Sequence, residues 1–142
     1  MDSPPGSEPI DDDEILYRRV PAKPPFWDPT ATPPLSPEAF KPRVDDTSGL
    51  SLGRARYVTP EGEAGKGQGP GYHIAVVRAG DLRRLGLTVV PRPLEDDPGH
   101  AEITEIRYDT RRTTEEERLR ICSELKPEVL GPFPGKSAGK TP

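Results

Sequence analysis

The sequence predicts an α+β protein with a small mixed or antiparallel sheet, one short helix and one C-terminal helix. The densest apolar block, residues 72–90, divides into strand, short helix and strand. Alternating apolar residues mark further short strands on both sides of this block. Because 142 residues hold about one domain, we expect a single domain over residues 14–126, with disordered tails at 1–13 and 127–142.

Acidic residues are concentrated at the N-terminus. The first 14 residues hold six acids and no base, whereas the rest of the chain has two more bases than acids. Residues 1–13 carry few large apolar side chains, so ordering them would cost conformational entropy with little burial in return. We therefore expect that deleting them leaves the melting temperature nearly unchanged, and that this acidic tail lies against a basic partner surface.

The first half of the domain contains two predicted strands. Residues 14–20, EILYRRV, favour a strand, and residues 49–58 a second strand broken or bulged at Gly53. The proline-rich segment 21–42 must be extended or turning chain. Four of its side chains are expected to pin it to the core, namely Phe26, Trp27, Leu35 and Phe40. The glycine-rich residues 60–71 predict a mobile surface loop.

The second half supplies the central apolar block and one more strand. Within the block, strands at 72–77 and 87–90 flank a short helix over 81–85, closed by Gly86 in the position after the helix. The segment HAEITEI alternates as a half-buried strand does. Its members Ala101 and Ile103 point one way, and His100, Glu102 and Thr104 the other.

The C-terminal helix is predicted over TTEEERLRICSEL. Thr113 or Thr114 is suited to cap it, and Leu119, Cys122 and Leu125 follow at helical spacing. Cys122 is the only cysteine, so an internal disulfide is excluded and a core-filling role is favoured.

His100 and Glu102 are the candidate catalytic residues, because residues i and i+2 share one face of a strand. They could form a general acid–base pair or two metal ligands, joined by Asp96 and Asp97. The alternative is that both side chains face water on the solvated side of the strand, while the aspartates shape a turn. His73, on a core strand, is interpreted as a half-buried structural histidine.

Tyr17, Arg18 and Arg19 would suit an anionic or nucleotide ligand, because arginine offers a fork of donors and tyrosine a ring for stacking. The alternative is a solvated strand end. The tail GPFPGKSAGKT lacks the spacing and the following helix of a P-loop. No sequence pattern indicates a metal site or a cofactor, and we expect neither.

The N-terminus lacks a basic region followed by an apolar one, and no segment approaches the roughly 20 apolar residues that span a bilayer. We therefore expect a cytoplasmic protein without membrane association. The nearly neutral body also lacks the dense basic face of a nucleic-acid-binding protein, so a nucleic-acid partner is not expected.

Four segments occur in order along the chain: ILYRRV, SPEAFKP, GLSL and AGDLRRLGLTVVPRPLEDDPGHAEI. This order resembles a family of small uncharacterised bacterial proteins with LYRR, S-x-x-F, G-L-S and D-P-x-H-A segments, over roughly residues 15–106. The resemblance implies that Tyr17, Arg18, Ser51 and His100 are family features, serving folding or function. It implies no activity.

A further similarity is to ADP-ribosyltransferase-like folds, which carry an arginine or histidine, a serine and a glutamate on successive strands. Arg18, Ser51 and Glu102 occur in that order. The similarity implies that Arg18 grips phosphate, Ser51 orients ribose, and Glu102, with His100, supports proton transfer or a developing cation. These side chains must then converge on one pocket, and opposite faces for Arg18 and Glu102 would exclude the hypothesis.

The leading hypothesis is a non-catalytic binding or accessory module of a bacterial cytoplasmic protein system, with a protein as partner. It is based on the lack of a complete catalytic constellation, a thin core, and tails of the kind that dock to partners. The alternative is a nucleotide-handling enzyme with a nucleotide as ligand. The sequence leaves open whether the protein is an enzyme.

Overall fold

The computed structural model describes residues 4–44, 46–109 and 114–136. Its strands are β1 (Ile15–Pro21), β2 (Leu50–Arg54), β3 (Gly71–Arg78), β4 (Val89–Pro91), β5 (His100–Ile103) and β6 (Glu128–Pro134). They form one open sheet in the order β4-β5-β2-β1-β3-β6, and every neighbouring pair is antiparallel. The mostly-sheet α+β class is thus confirmed, with an antiparallel rather than a mixed sheet.

The helices are short. They are α1 (Pro60–Ala64), α2 (Ala79–Arg84) and α3 (Glu115–Arg120), which continues into a π-helical turn at Ile121–Leu125; a 3₁₀ turn covers Pro37–Phe40. Gly86 follows α2 with φ of +87°, as predicted for a glycine that ends a helix. The prediction of a loop over residues 60–71 is wrong for residues 60–64, which form α1. There Thr59 accepts a hydrogen bond from the Gly62 amide and Pro60 takes the first helical position, so α1 forms.

Both faces of the sheet are covered. The larger core takes alternate residues of the central strands: Leu16, Val20, Leu50, Leu52, Ala75, Val77, Ala101 and Ile103. The second, smaller core lies on the other face and contains Tyr72 and Ile74 with Ala64 of α1, joined by Tyr17 and Val76. Because side chains alternate along each strand, the face of every site residue follows from this division.

Residues 4–13 pack on the body, so the prediction of a disordered tail is wrong for them. Ile10 is 5% exposed and belongs to the larger core. The fully buried Arg54 donates to the carbonyls of Gly6 and Glu8 at 2.9 and 3.0 Å, and to the Glu14 carboxylate at 2.8 Å. A buried guanidinium requires acceptors for its donors, and this segment supplies them. Residues 1–3 lie outside the described residues.

Three of the four acids in residues 4–13 also have partners within the chain. Asp12 pairs with Arg83 at 2.7 Å and Asp13 with Arg78 at 3.6 Å. Glu8 accepts a hydrogen bond from Tyr57, which lowers the pKa of Glu8. The interpretation of this segment as a free acidic tail for a basic partner is therefore wrong for residues 4–13.

The C-terminal segment is likewise ordered. Residues 128–134 form β6, which pairs with β3 at the sheet edge, where prolines are tolerated because one side needs no ladder hydrogen bond. Gly135 and Lys136 then donate to the carbonyls of Pro70 and Gly67. The disordered tail predicted from residue 127 is thus wrong through residue 136; residues 137–142 lie outside the described part of the chain.

The proline-rich segment is packed, as its apolar side chains predict. Phe40 and Leu35 are buried in the larger core, and Phe26 and Trp27 pack against it. The Trp27 ring stacks on His73 with centroids 4.4 Å apart.

The apolar face of the last helix differs from the predicted set Leu119, Cys122 and Leu125. Leu119 is 53% exposed, whereas Ile121 and Cys122 are buried and Leu125 packs on the core. Thr114 precedes α3 without capping it, because its hydroxyl accepts from Arg118 at 3.2 Å. Thr113 lies outside the described residues.

Candidate ligand-binding groove

The predicted site residues divide between the two faces of the sheet. Arg18 is paired with Ala75, a member of the larger core. Glu102 is paired with Ser51, between neighbours that face the larger core, so both side chains lie on the other face. Arg18 and Glu102 are therefore on opposite faces. The convergence that the ADP-ribosyltransferase-like hypothesis requires is not found.

Ser51 and His100 do meet. His100 Nε2 lies 3.1 Å from Ser51 Oγ, and Ser51 Oγ lies 3.2 Å from Asp46 Oδ1. His100 Nδ1 is 2.9 Å from the Arg92 carbonyl, an acceptor, so Nδ1 carries a proton. The second Asp46 oxygen accepts from the Arg43 amide at 2.7 Å. The chain of contacts thus ties β5 and β2 to the segment that carries Arg43.

Glu102 is buried rather than solvated. It is 7% exposed and accepts from Ser48 Oγ at 2.9 and 3.0 Å and from Arg92 Nε at 3.2 Å. The interpretation of a water-facing carboxylate is therefore wrong. Asp97 does not join this pair, because its carboxylate accepts from Lys66 at 2.7 Å while its backbone forms the predicted turn with Leu94.

Arg18 sits where the β1–β2 ladder ends. The ladder pairs Leu16 with Arg54 and Tyr17 with Gly53; beyond it the Ser51 carbonyl accepts from Arg18 Nη1 at 3.1 Å. The guanidinium also donates to the carbonyls of Ala39 and Lys41. Burial lowers the pKa of Arg18 to about 10, opposed by the charge of Asp46. Arg18 remains a cation at neutral pH, bonded to neutral carbonyls.

Arg18 lines an open cavity of about 810 Å³ at the end of the sheet where β1 and β6 stop and β3 starts. We call this cavity the basic groove. Its charged lining residues are Arg18, Arg19, Lys23, Lys41 and Arg43, against the single acid Glu38. Its apolar walls include Phe26, Tyr72, Phe133 and the prolines at 21, 70, 132 and 134.

Two of these five cations are exposed and have no carboxylate partner among the described residues. Arg19 is paired with the buried Glu63 at 3.0 Å, and Lys41 approaches Glu38 at 3.8 Å on the surface. Lys23 and Arg43 are exposed and form no salt bridge within the described part of the chain. Like charges held near one another cost free energy unless an anion joins them. The groove is therefore suited to an anionic ligand.

The remaining candidates have structural surroundings. Tyr17 packs with the smaller core. His73 is 6% exposed beneath the Trp27 ring, and burial lowers its pKa, as a half-buried structural histidine would show. Cys122 fills the larger core, and burial raises the pKa of its thiol to about 11.

Comparison with protein-family models, curated proteins and solved structures returned no match. Among the described residues, no helix has the length and apolarity that crossing a membrane requires. The same residues contain no group of three or more histidine, cysteine or acidic side chains placed to hold a metal ion.

Sequence reasoning identified Arg18 and Arg19 but missed Lys23, Lys41 and Arg43. These three lie in the proline-rich segment and directly after it, where the sequence predicts extended chain without a fixed position. The proline-rich segment must fold back over the end of β1 before its lysines meet Arg18. The sequence indicated only that the proline-rich segment is packed, through its apolar side chains.

Proposed function

We propose that the protein is a non-catalytic binding module that uses the basic groove to hold an anionic segment of a protein partner. The single observation that carries this proposal is the lining of the groove, with five cations and one acid between apolar walls. Such a lining supplies both charge attraction and area for apolar contact. The bacterial family and cytoplasmic location expected from the sequence remain part of the proposal.

The polar clusters elsewhere connect the strands to the segment that borders the groove. Ser51 Oγ contacts both His100 Nε2 and Asp46 Oδ1, and its single proton serves one of these two acceptors, while His100 and Asp46 also contact the backbone of Arg92 and Arg43. Glu102 has two partners of its own. These contacts fix the strands and the Arg43 segment in place. The groove is thus positioned by buried and half-buried polar contacts.

The test is a titration with a fluorescein-labelled peptide of about eight glutamates, followed by anisotropy at low and at moderate salt. We expect binding that weakens as salt screens the exposed charges. In the variant Lys23→Glu/Arg43→Glu the dissociation constant should rise about tenfold or more, because each exposed charge contact contributes up to about 1 kcal/mol and reversal adds repulsion.

A matched control is Arg84→Glu/Arg120→Glu, which makes the same charge change on α2 and α3, outside the groove. Its affinity for the peptide should stay within about twofold of the wild-type value, because these positions are not near the ligand. If both double variants lose affinity equally, net charge rather than the groove governs binding, and the proposal fails.

A further inference from the structure

A second cleft shares two lining residues with the basic groove. This cleft, of about 620 Å³, is lined by Lys41, Pro42, Arg43, Val44 and Tyr108, so Lys41 and Arg43 border both cavities. Val44 is 72% exposed, the largest exposed fraction among the big apolar side chains described, and Tyr108 is 39% exposed. A cationic track thus ends beside two exposed apolar side chains.

We propose, building on the function proposed above, that the partner segment is an extended acidic peptide with one apolar side chain. Its carboxylates lie against Lys23, Lys41 and Arg43, and its apolar side chain packs on Val44 and Tyr108. The acidic part of the peptide is inferred from its charge complementarity to the cations of the groove. Burial of the exposed apolar pair selects the anchor, since apolar anchors in pockets supply much of the binding energy at interfaces.

The walls of the groove favour a peptide over a nucleotide or a nucleic acid. Phosphate sites commonly use backbone N–H groups or helix N-termini, whereas no α-helix begins among the described residues that line the groove, and four of its wall positions, beside Gly69 and Gly71, are prolines without an N–H. Base stacking requires well-exposed ring faces, whereas the rings that line the groove are buried or only partly exposed. Phe26 packs on the larger core, and Tyr72 and Phe133 belong to the smaller one.

The two cavities also share the cations Lys41 and Arg43. Together they extend from the proline walls of β6 to Tyr108, past the cations at Lys41 and Arg43. An extended chain of about eight residues reaches roughly 27 Å and can contact both. A single small ligand would leave either the cations or the apolar pair unused.

The test uses three fluorescein-labelled peptides of about eight glutamates, with leucine at the N-terminal end, leucine at the C-terminal end, or alanine at both. Each is titrated into the wild-type protein and into Val44→Ser. Leucine at one end should tighten binding about tenfold in the wild type and leave Val44→Ser unimproved. The alanine peptide should bind both proteins equally, which also shows that Val44→Ser retains the groove.

Two results would overturn this inference while the proposed function stands: no gain from leucine at either end, or the same gain in Val44→Ser. An oligothymidylate of similar charge that binds more tightly than the best leucine peptide would overturn the peptide assignment in favour of nucleic acid. Failure of all acidic peptides to bind would overturn the proposed function as well.

Discussion

Replacing Arg54 with methionine should destabilise the protein strongly. Arg54 is fully buried and bonds the Glu14 carboxylate, which is itself 9% exposed, together with the carbonyls of Gly6 and Glu8. The bond to Glu14 raises the pKa of Arg54, so Arg54 stays a cation. Removing one partner of a buried pair leaves an uncompensated charge, at a cost of about 3–5 kcal/mol.

For a chain of this size, that loss corresponds to a fall in Tm of roughly 10–20 °C. The assay is thermal and urea unfolding followed by circular dichroism, with limited proteolysis to detect release of residues 4–13. The matched control is Arg78→Met. Arg78 is 49% exposed and its partner Asp13 is 97% exposed, so this surface pair contributes about 0–1 kcal/mol.

The result that would refute the reasoning is equal stability of Arg54→Met and Arg78→Met. It would mean that Arg54 is hydrated and that residues 4–13 do not cover it. If Arg54→Met loses much stability but its N-terminus is cleaved no faster, the loss comes from the broken Glu14 pair alone, and Arg54 does not hold residues 4–13 on the body.

The remaining predictions concern the same fold. Deleting residues 1–13 should lower the Tm in a thermal melt, because Ile10 leaves the core and Arg54 loses acceptors; an unchanged Tm would contradict the packing. Gly53→Ala should lower the free energy of unfolding in urea by about 1–3 kcal/mol, because a Cβ there would lie 2.1 Å from Glu63 Oε1. The same substitution should cost less in a Glu63→Ala background, and an equal cost in both backgrounds would exclude the clash. The Cys122 thiol, with its pKa raised from 9.0 to about 11 by burial, should resist a thiolate-specific reagent at pH 8 until the protein unfolds. The thiol ionises at a lower pH in the unfolded chain than in the folded protein. Burial of the neutral thiol therefore stabilises the fold fully below about pH 9, and this stabilisation is lost between about pH 9 and 11. Urea unfolding at several pH values across that range measures the loss.

The central strands were predictable because alternation and proline boundaries are local signals. The strands predicted over residues 14–20 and 72–77 lie within one residue of their bounds in β1 and β3, whereas the strand predicted over 100–106 ends at Ile103. The same local signals failed for residues 4–13 and 128–134. Both segments are ordered by distant partners, the donors of Arg54 and the edge of β3.

The candidate site was predictable only in part for the same reason. Arg18 was predicted from the sequence to bind an anionic ligand, and it lines the groove. Its pairing with Glu102 was an inference from order along the chain, and the alternation of strand faces separates the two residues. Lys41 and Arg43 reach the groove only because the 3₁₀ turn at Pro37–Phe40 places Ala39 and Lys41 against Arg18. No local pattern encodes that contact.

The most direct test of the groove as the ligand site is a titration of the ¹⁵N-labelled protein with the acidic leucine peptide, followed by amide chemical shifts. The account predicts that the largest changes fall on Arg18, Lys23, Lys41, Arg43 and Tyr72, in or beside the groove. It also predicts that the amides of β4 and α2, which do not line it, stay nearly unchanged. Saturable changes confined to the surface of β4, β5 or α2 would contradict it.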